Sequence, residues 1–408
     1  MQLEPIITSH LETDAYKFSM GQCIFHQFNN YTTRWTFRCR NKNVKFTREM
    51  VIEIKEQIAH YCTIHFKEEE LVWLEKNLPW IHRDYTAYLR YWHPRQEEIF
   101  VGYDNDYNDC GLSIETYGTW LNTSMYEIAI LAIVNEVYFA FKYGLRAKLE
   151  EFECRTSEHI AQLTSKKFDI GTFSEFGMRR RYSRESQNYL IAALCVARDS
   201  GRLPGFVGTS NVYLARKYHL KAVGTQAHEF IMCVGQGNPK HNPAYSNWYA
   251  MSAWIHEFET RNGYVLTDTI TTDCFLKDFN LTYATLFSGV RHDSGDPFEW
   301  GEEIIDHYRI LNIDPKTKTL LFSDSLNLEK AHAIREHFKD ECKVAFGIGT
   351  FWSNPLDDAL NVVMKVTECN GMPVAKLSDV EGKGMCKDPD YVEYLKRTIS
   401  WRMRHEEV

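Results

Sequence analysis

Residues 320–349 read LLFSDSLNLEKAHAIREHFKDECKVAFGIG, and their order decides the fold. Two short apolar runs each end in a polar or glycine-bearing tip, Ser323-Asp324-Ser325 and Gly347-Ile-Gly349-Thr350. Between them, residues 328–337 place Leu328, Ala331 and Ile334 at helical spacing. A strand, a helix and a second strand in this order form a parallel unit, because parallel neighbours need a crossover of that length.

The same rhythm extends backwards along the chain. Strand-like segments at 168–176, 205–208, 220–225, 264–268 and 287–291 precede the pair at 320–324 and 344–349, and helical stretches at 186–198 and 296–311 separate some of them. Seven such segments favour a closed or nearly closed α/β barrel over an open sheet, with the site at the strand C-termini. Upstream the pattern is mixed. Residues 31–40 alternate as a strand, 66–78 and 85–92 read as helices stopped by Pro79 and Pro94, and 102–118 is turn-rich before a short strand at 112–117. Ser124 and Glu127 read as a capping box ahead of an apolar helix to Phe141, so a boundary is placed before Ser124. The division expected is an N-terminal α/β domain at 1–123, the barrel at 124–360, and a segment at 361–408 that returns to the first domain. Residues 361–379 alternate around Asn370-Gly371, a hairpin signal.

Composition narrows the function. The 408 residues are 44% hydrophobic and 25% charged, with a net charge of −8, which suits a globular enzyme and argues against a general nucleic-acid binder. Eleven cysteines without a Cys-x-x-Cys pair argue for reduced thiols in a reducing compartment, and against a disulfide framework or standard zinc site. The first ten residues lack a basic start and apolar run, so no signal peptide is expected. The most apolar stretch, 128–134, is too short and too flanked by charge to span a bilayer. A cytoplasmic protein without membrane partners is expected.

The tips carry the chemistry. Phe176-Gly-Met-Arg179-Arg180-Arg181, with Arg184 behind, is a positive cluster in an acidic chain that can grip phosphate by forked hydrogen bonds. Arg179 is favoured over Arg181 for that work, since adjacent residues cannot all point inward. Gly347-x-Gly349-Thr350 beside Asp324 suggests a phosphate cradle with an acid for a sugar hydroxyl. In Arg291-His-Asp293-Ser-Gly-Asp296-Pro, Asp296 reads as an N-cap, leaving Arg291 and Asp293 for a diol, Mg²⁺ or an anionic ring substituent. His228 follows Gly224-Thr-Gln-Ala at the entry of a short helix. A lone histidine among 16 is more often structural, but a neutral imidazole here could attack phosphorus, with Asp268 on the next tip as its orienter.

Together these strings, starting from Thr13-Asp14-Ala15-Tyr16-Lys17 and including Gly208-Thr-Ser210-Asn211, resemble the nicotinate phosphoribosyltransferases over nearly the whole chain. The resemblance implies an irregular barrel of the type II phosphoribosyltransferases, with an N-terminal α/β sandwich completed by the C-terminal segment. It implies transfer of phosphoribosyl from phosphoribosyl pyrophosphate to nicotinate in NAD salvage, driven by ATP with Mg²⁺ through a phosphohistidine. His228 matches the phosphorylated histidine, with Asp268 as partner. Phe176 and Tyr16 match the aromatic pair around the pyridine ring, Tyr16 coming from the neighbouring subunit of a homodimer with shared sites. Arg179 would meet pyrophosphate, Arg291 the nicotinate carboxylate, Asp293 the ribose, and Asp324, Gly349 and Thr350 the 5′-phosphate. Nicotinamide-using relatives carry aspartate where Ser210 stands, so serine favours nicotinate. An aldolase or isomerase would need a lysine or carboxylate base at a tip, and no tip offers that lysine. A non-catalytic ligand sensor would be expected to lack one of Arg179, His228, Arg291 or Asp293.

Overall fold

Two sheets organise the chain. A computed structural model describes residues 3–104, 110–144, 146–356, 359–380, 384 and 386–406; residues 105–109 of the turn-rich stretch lie outside that set. The first sheet is antiparallel and starts from β1 (Thr32–Cys39), β2 (Ile99–Asp104) and β3 (Gly111–Thr119). In β1 the alternation buries Thr33, Trp35 and Phe37 on one face, as the period-2 pattern predicts. β2 is a departure, since its residues overlap a stretch read as turns. It pairs with β3 from Ile99↔Thr116 to Asp104↔Gly111, so pairing across the sheet overrides a weak local signal.

The second sheet is parallel: β4 (Thr172–Glu175), β5 (Phe206–Thr209), β6 (Lys221–Ala222), β7 (Tyr264–Leu266), β8 (Gly289–His292), β9 (Thr319–Phe322) and β10 (Lys343–Ile348). These are the seven expected segments. Their order is β6-β5-β4-β10-β9-β8-β7, the ring order of a barrel left open between β6 and β7. The opening is the difference from full closure. β6 has two residues and β7 three, too few to bridge the seam, and the helix His228–Gln236 begins beside it.

The tail closes the first sheet. β11 (Val362–Cys369) pairs antiparallel with β1, and β12 (Met372–Pro373) folds back on it. Asn370 and Gly371 between them have φ of 53° and 74°, the left-handed pair that a two-residue hairpin turn needs. The sandwich is therefore completed by residues far away in sequence.

The helix Trp120–Tyr143 packs between the sheet and the helices Ala15–Gln27 and Arg48–Tyr61. At 24 residues it is long and apolar enough to cross a bilayer, which corrects the shorter stretch read from sequence, but 89% of its most apolar window is buried inside the molecule. Ile128, Ile130, Leu131 and Ile133 are wholly covered, each worth about 1.5–3 kcal/mol. The capping box is also corrected. The N-cap is Thr119, and Ser124 and Glu127 lie inside the helix. Their polar atoms turn to partners across the core, Ser124 to Glu229 and Glu127 to Lys17.

Candidate active site

The tips of the parallel strands, β11 and the start of the Ala15–Gln27 helix enclose one cavity of about 500 Å³. Phe176 follows β4, and its N–H donates to the Ile348 carbonyl of β10. Its ring lies over Gly347, where an added Cβ would come within 2.4 Å of it. Ring packing by itself thus requires glycine at position 347. Tyr16 reaches the cavity from the first turn of its helix. The Ala15 N–H donates to the Ser210 carbonyl, and Gly224 leaves room for the Tyr16 backbone, which a Cβ would meet at 2.6 Å. Tyr16 and Phe176 of this chain thus line the same cavity.

Lys17 anchors this arrangement from below. Fully buried, it donates to Glu229 at 2.6 Å and meets Glu127 at 2.8 Å. Glu229 is next to His228, and Glu127 lies 3.9 Å from Arg179. Breaking a buried pair of this kind costs about 3–5 kcal/mol.

His228 opens its helix after the N-cap Ala227. Its Nδ1 lies 2.9 Å from Thr269 Oγ1, and its Nε2 is 2.9 Å from Asp293 Oδ2 and 3.0 Å from Lys376 Nζ. Burial and the Lys376 charge push its pKa down, against the carboxylates Asp268 and Asp293, so the ring is neutral at neutral pH. Asp268, the expected orienter, stands 3.9 Å from Nε2. Lys376, which is 2.7 Å from Asp268, takes the intervening place. Thr269 and Asp293 orient the ring instead. Asp293 is held well below the usual carboxylate range by His228, Arg291 and Lys376, which outweigh its burial.

Arg291 is fixed on all sides. Its Nε donates to Ser323, Nη1 to Thr225 and the Gln226 carbonyl, and Nη2 to Asp293, while the guanidinium sits 5.9 Å from the Phe176 ring centre. A cation thus stands beside the Phe176 ring in the cavity. The arginine triplet divides. Arg179 and Arg180 line the cavity, whereas Arg181 is buried against Glu12 at 3.0 Å and Arg184 lies 3.3 Å from Glu12. Asp324, Gly349 and Thr350 line the cavity as well, with Ser325 donating to Asp324. Ser210 donates to Asp14 at 2.6 Å, and burial pushes the Asp14 carboxyl up.

Among the cavity residues not picked out from sequence are three cations and one buried amide. Arg40 and Lys365 come from the end of β1 and from β11, and Lys376 from beyond β12. Local patterns give no hint that these strands reach the barrel mouth. The clustering has a cost in protonation. Burial together with Lys376, Arg40 and Arg179 lowers Lys365 to about 7, and burial with Arg179 and Arg40 lowers Arg180 to about 9. The fourth is Gln226, which is 1% exposed. Neither end of its amide has a hydrogen-bond partner among the described residues.

Similarity agrees with this architecture. Residues 172–401 match the nicotinate phosphoribosyltransferase (NAPRTase) family, and residues 11–135 match its N-terminal domain. The chain belongs to that family. It is 39% identical over 396 residues to the nicotinate phosphoribosyltransferase of Cupriavidus necator, covering 97% of this chain and 98% of the relative. With that of Acinetobacter baylyi it shares 40% over 409 residues, 98% of each. Among solved structures, the Porphyromonas gingivalis nicotinate phosphoribosyltransferase superposes with a TM-score of 0.88 at 32% identity, covering 97% of this chain and all of the other. A putative nicotinate phosphoribosyltransferase from Saccharomyces cerevisiae gives 0.89 at 32%, covering 98% and 100%. The family's sandwich and parallel barrel are the two sheets described above, and the aromatic, cationic and histidine groups of the cavity lie at their junction.

Proposed function

We propose that this chain transfers the phosphoribosyl group of phosphoribosyl pyrophosphate to nicotinate, releasing pyrophosphate, and that ATP hydrolysis drives the transfer through His228. The observation that carries this reading is a single cavity lined by two aromatic side chains, Tyr16 and Phe176, and by crowded cations. Tyr16 and Phe176 suit a flat heteroaromatic ring, and Arg291 beside them suits its carboxylate. Arg40, Arg179, Arg180 and Lys365 suit a departing pyrophosphate, and Asp324, Gly349 and Thr350 suit the 5′-phosphate. The anomeric C–O bond breaks with its electron pair leaving on pyrophosphate, while the pyridine nitrogen forms the C–N bond with its lone pair. No proton has to be removed from that nitrogen, so the cavity needs positioning and charge rather than a base.

ATP would supply a phosphoryl group, the electron pair of the broken P–O bond leaving on ADP. The neutral His228 ring, held on both sides, is the group suited to receive it through a ring-nitrogen lone pair until water releases it as phosphate. The added charge would draw on Lys376 and Arg291 and alter contacts along the cavity. His228, Asp268 and Asp293 also form a cluster with donor atoms within 4.8 Å of one another, but Lys376 already supplies its cation. Mg²⁺ therefore fits better on substrate phosphates, its usual place. The test mixes the protein with nicotinate, phosphoribosyl pyrophosphate, Mg²⁺ and ATP and looks for nicotinate mononucleotide. Parallel reactions with nicotinamide and quinolinate identify the ring, and product from either in place of nicotinate overturns the assignment.

Two further results are expected. At pH 7.5 most Lys365 amine, with its pKa near 7, is unprotonated in the free protein. A bound pyrophosphate raises that pKa, so binding takes up as much as about one proton. Calorimetry in buffers of different ionisation enthalpy measures the uptake. Lys365→Met should abolish it, and uptake persisting in that variant assigns it elsewhere. The orphaned Gln226 amide costs stability unless a ligand meets it. Gln226→Met is therefore expected to raise Tm while raising a substrate KM by about tenfold, the loss of one hydrogen bond. A fall in Tm with unchanged KM would make Gln226 a structural residue.

A further inference from the structure

Glu175 ends β4 one residue before Phe176, and it is wholly buried outside the cavity lining. Two residues earlier on the strand, the Phe173 ring packs on Phe206 and Trp352, so the layer is otherwise apolar. Burial, with Asp14 adding to it, pushes the Glu175 carboxyl up to about 7 against the donors around it. An apolar side chain of similar size would pack there at lower cost. Stability alone therefore does not call for a carboxylate at this position.

Its hydrogen bonds do. Oε1 accepts from the Gly177 N–H at 2.6 Å, Oε2 from the Thr209 hydroxyl at 2.6 Å, and both from the Gln187 amide at 3.2 Å. Asn211 closes the ring, its N–H donating to Thr209 Oγ1 and its amide to Gln187 Oε1. Glu175 and Thr209 meet because they are paired in register across β4 and β5. We propose that Glu175 is a positioning residue that clamps these two strand tips together, fixing the Phe176 ring and the Ser210 hydroxyl where the substrate ring binds. This rests on the reading that the pyridine lies against Phe176.

Two N–H groups flank the Cα of Phe176. Its own is held by the Ile348 carbonyl of β10, and the next, at Gly177, has the Glu175 carboxylate as its acceptor. Without that acceptor the Phe176–Gly177 peptide is free to turn, and the ring turns with it. The fit is close, since a Cβ at Gly177 would come within 2.8 Å of Glu175 Oε1 and would also meet Ser353 Oγ. On β5 the Glu175 carbonyl accepts from the Ser210 N–H at 2.8 Å, and its carboxylate holds Thr209 alongside. Ser210 is thereby aimed at Asp14, 2.6 Å from its hydroxyl. Every partner of the carboxylate is a donor, so glutamine, of the same shape, leaves one of them facing an NH₂ group.

The test compares full-length wild type, Glu175→Gln and Thr209→Val for Tm, and for KM and kcat with the pyridine that the wild type uses. If that pyridine is not nicotinate, the substrate assignment fails and this comparison still stands. Glu175→Gln removes a buried charge, so its Tm should hold or rise, while KM for the pyridine rises about 10–100-fold, the worth of a hydrogen bond to a charged group. Its kcat should change by less than about threefold, because the lost interaction serves ring binding. Thr209→Val, which replaces the clamping hydroxyl with a methyl group, should raise the same KM. The double variant should be no worse than Glu175→Gln, since both changes open one clamp. Unchanged KM in folded Glu175→Gln overturns the proposal. So does a fall in Tm with KM and kcat impaired together, the mark of a structural residue, or effects that simply add in the double variant. If Glu175→Gln does not fold, Thr209→Val decides alone, and an unchanged KM there overturns the proposal.

Discussion

Replacing His228 with alanine is expected to abolish ATP hydrolysis and the stimulation of nucleotide formation by ATP, while a slow ATP-independent transfer survives. The loss in the ATP-coupled rate should be on the order of 10³-fold or more, the scale on which removal of a nucleophile acts. Arg291 and both aromatic rings remain in place, because none of them bonds to the imidazole. The variant should therefore still bind nicotinate and phosphoribosyl pyrophosphate. Structural damage predicts a different outcome, in which binding and both activities fall together. Comparing steady-state transfer with and without ATP, alongside ATP hydrolysis, separates the two. Full ATP coupling in His228→Ala removes the residue from this role. The neighbours sharpen the assignment. Asp293 and Thr269 touch the ring, whereas Asp268 is separated from it by Lys376. Asp293→Asn should consequently damage ATP coupling more than Asp268→Asn.

The strand tips were legible because parallel strands buried on both faces are short apolar runs, and the polar residues ending them stand out. Residues 176, 179, 228, 291, 293, 324, 349 and 350 all reach one cavity for that reason. What escaped the sequence depends on long-range pairing. Nothing local tells that β11 joins β1, with Thr36 opposite Lys365, and so brings Lys365 to the barrel mouth. Lys376 follows from the same pairing, and its arrival displaced Asp268 from the place first expected for it. The Ser124–Glu127 pair misled for a related reason. A Ser-x-x-Glu spacing reads as a cap wherever it falls, but here the same polar atoms serve Glu229 and the buried Lys17. The seam between β6 and β7 was equally invisible, since ring order is the same in an open and a closed barrel.

Ser210→Asp is expected to lower kcat/KM for nicotinate by about 100-fold or more and to shift preference towards nicotinamide. The structure adds a partner to this argument. Ser210 already donates to Asp14 at 2.6 Å, and both are buried at the cavity. Burial raises the Asp14 pKa, while the Ser210 hydroxyl and Arg179 restrain the rise. A second carboxyl there adds negative charge beyond that of Asp14, and sharing a proton with Asp14 offsets it only in part. Two unit charges about 4 Å apart at an effective dielectric near 20 repel by about 4 kcal/mol. Arg179 offsets part of this, and a 100-fold loss corresponds to only about 2.7 kcal/mol. A carboxamide is neutral and offers N–H donors, so it escapes the penalty. Ser210→Ala provides the control, because it removes the hydrogen bond without adding charge and should keep nicotinate use within about tenfold. If folded Ser210→Asp shows unchanged steady-state kinetics with nicotinate, position 210 does not select the ring substituent, and discrimination passes to Arg291.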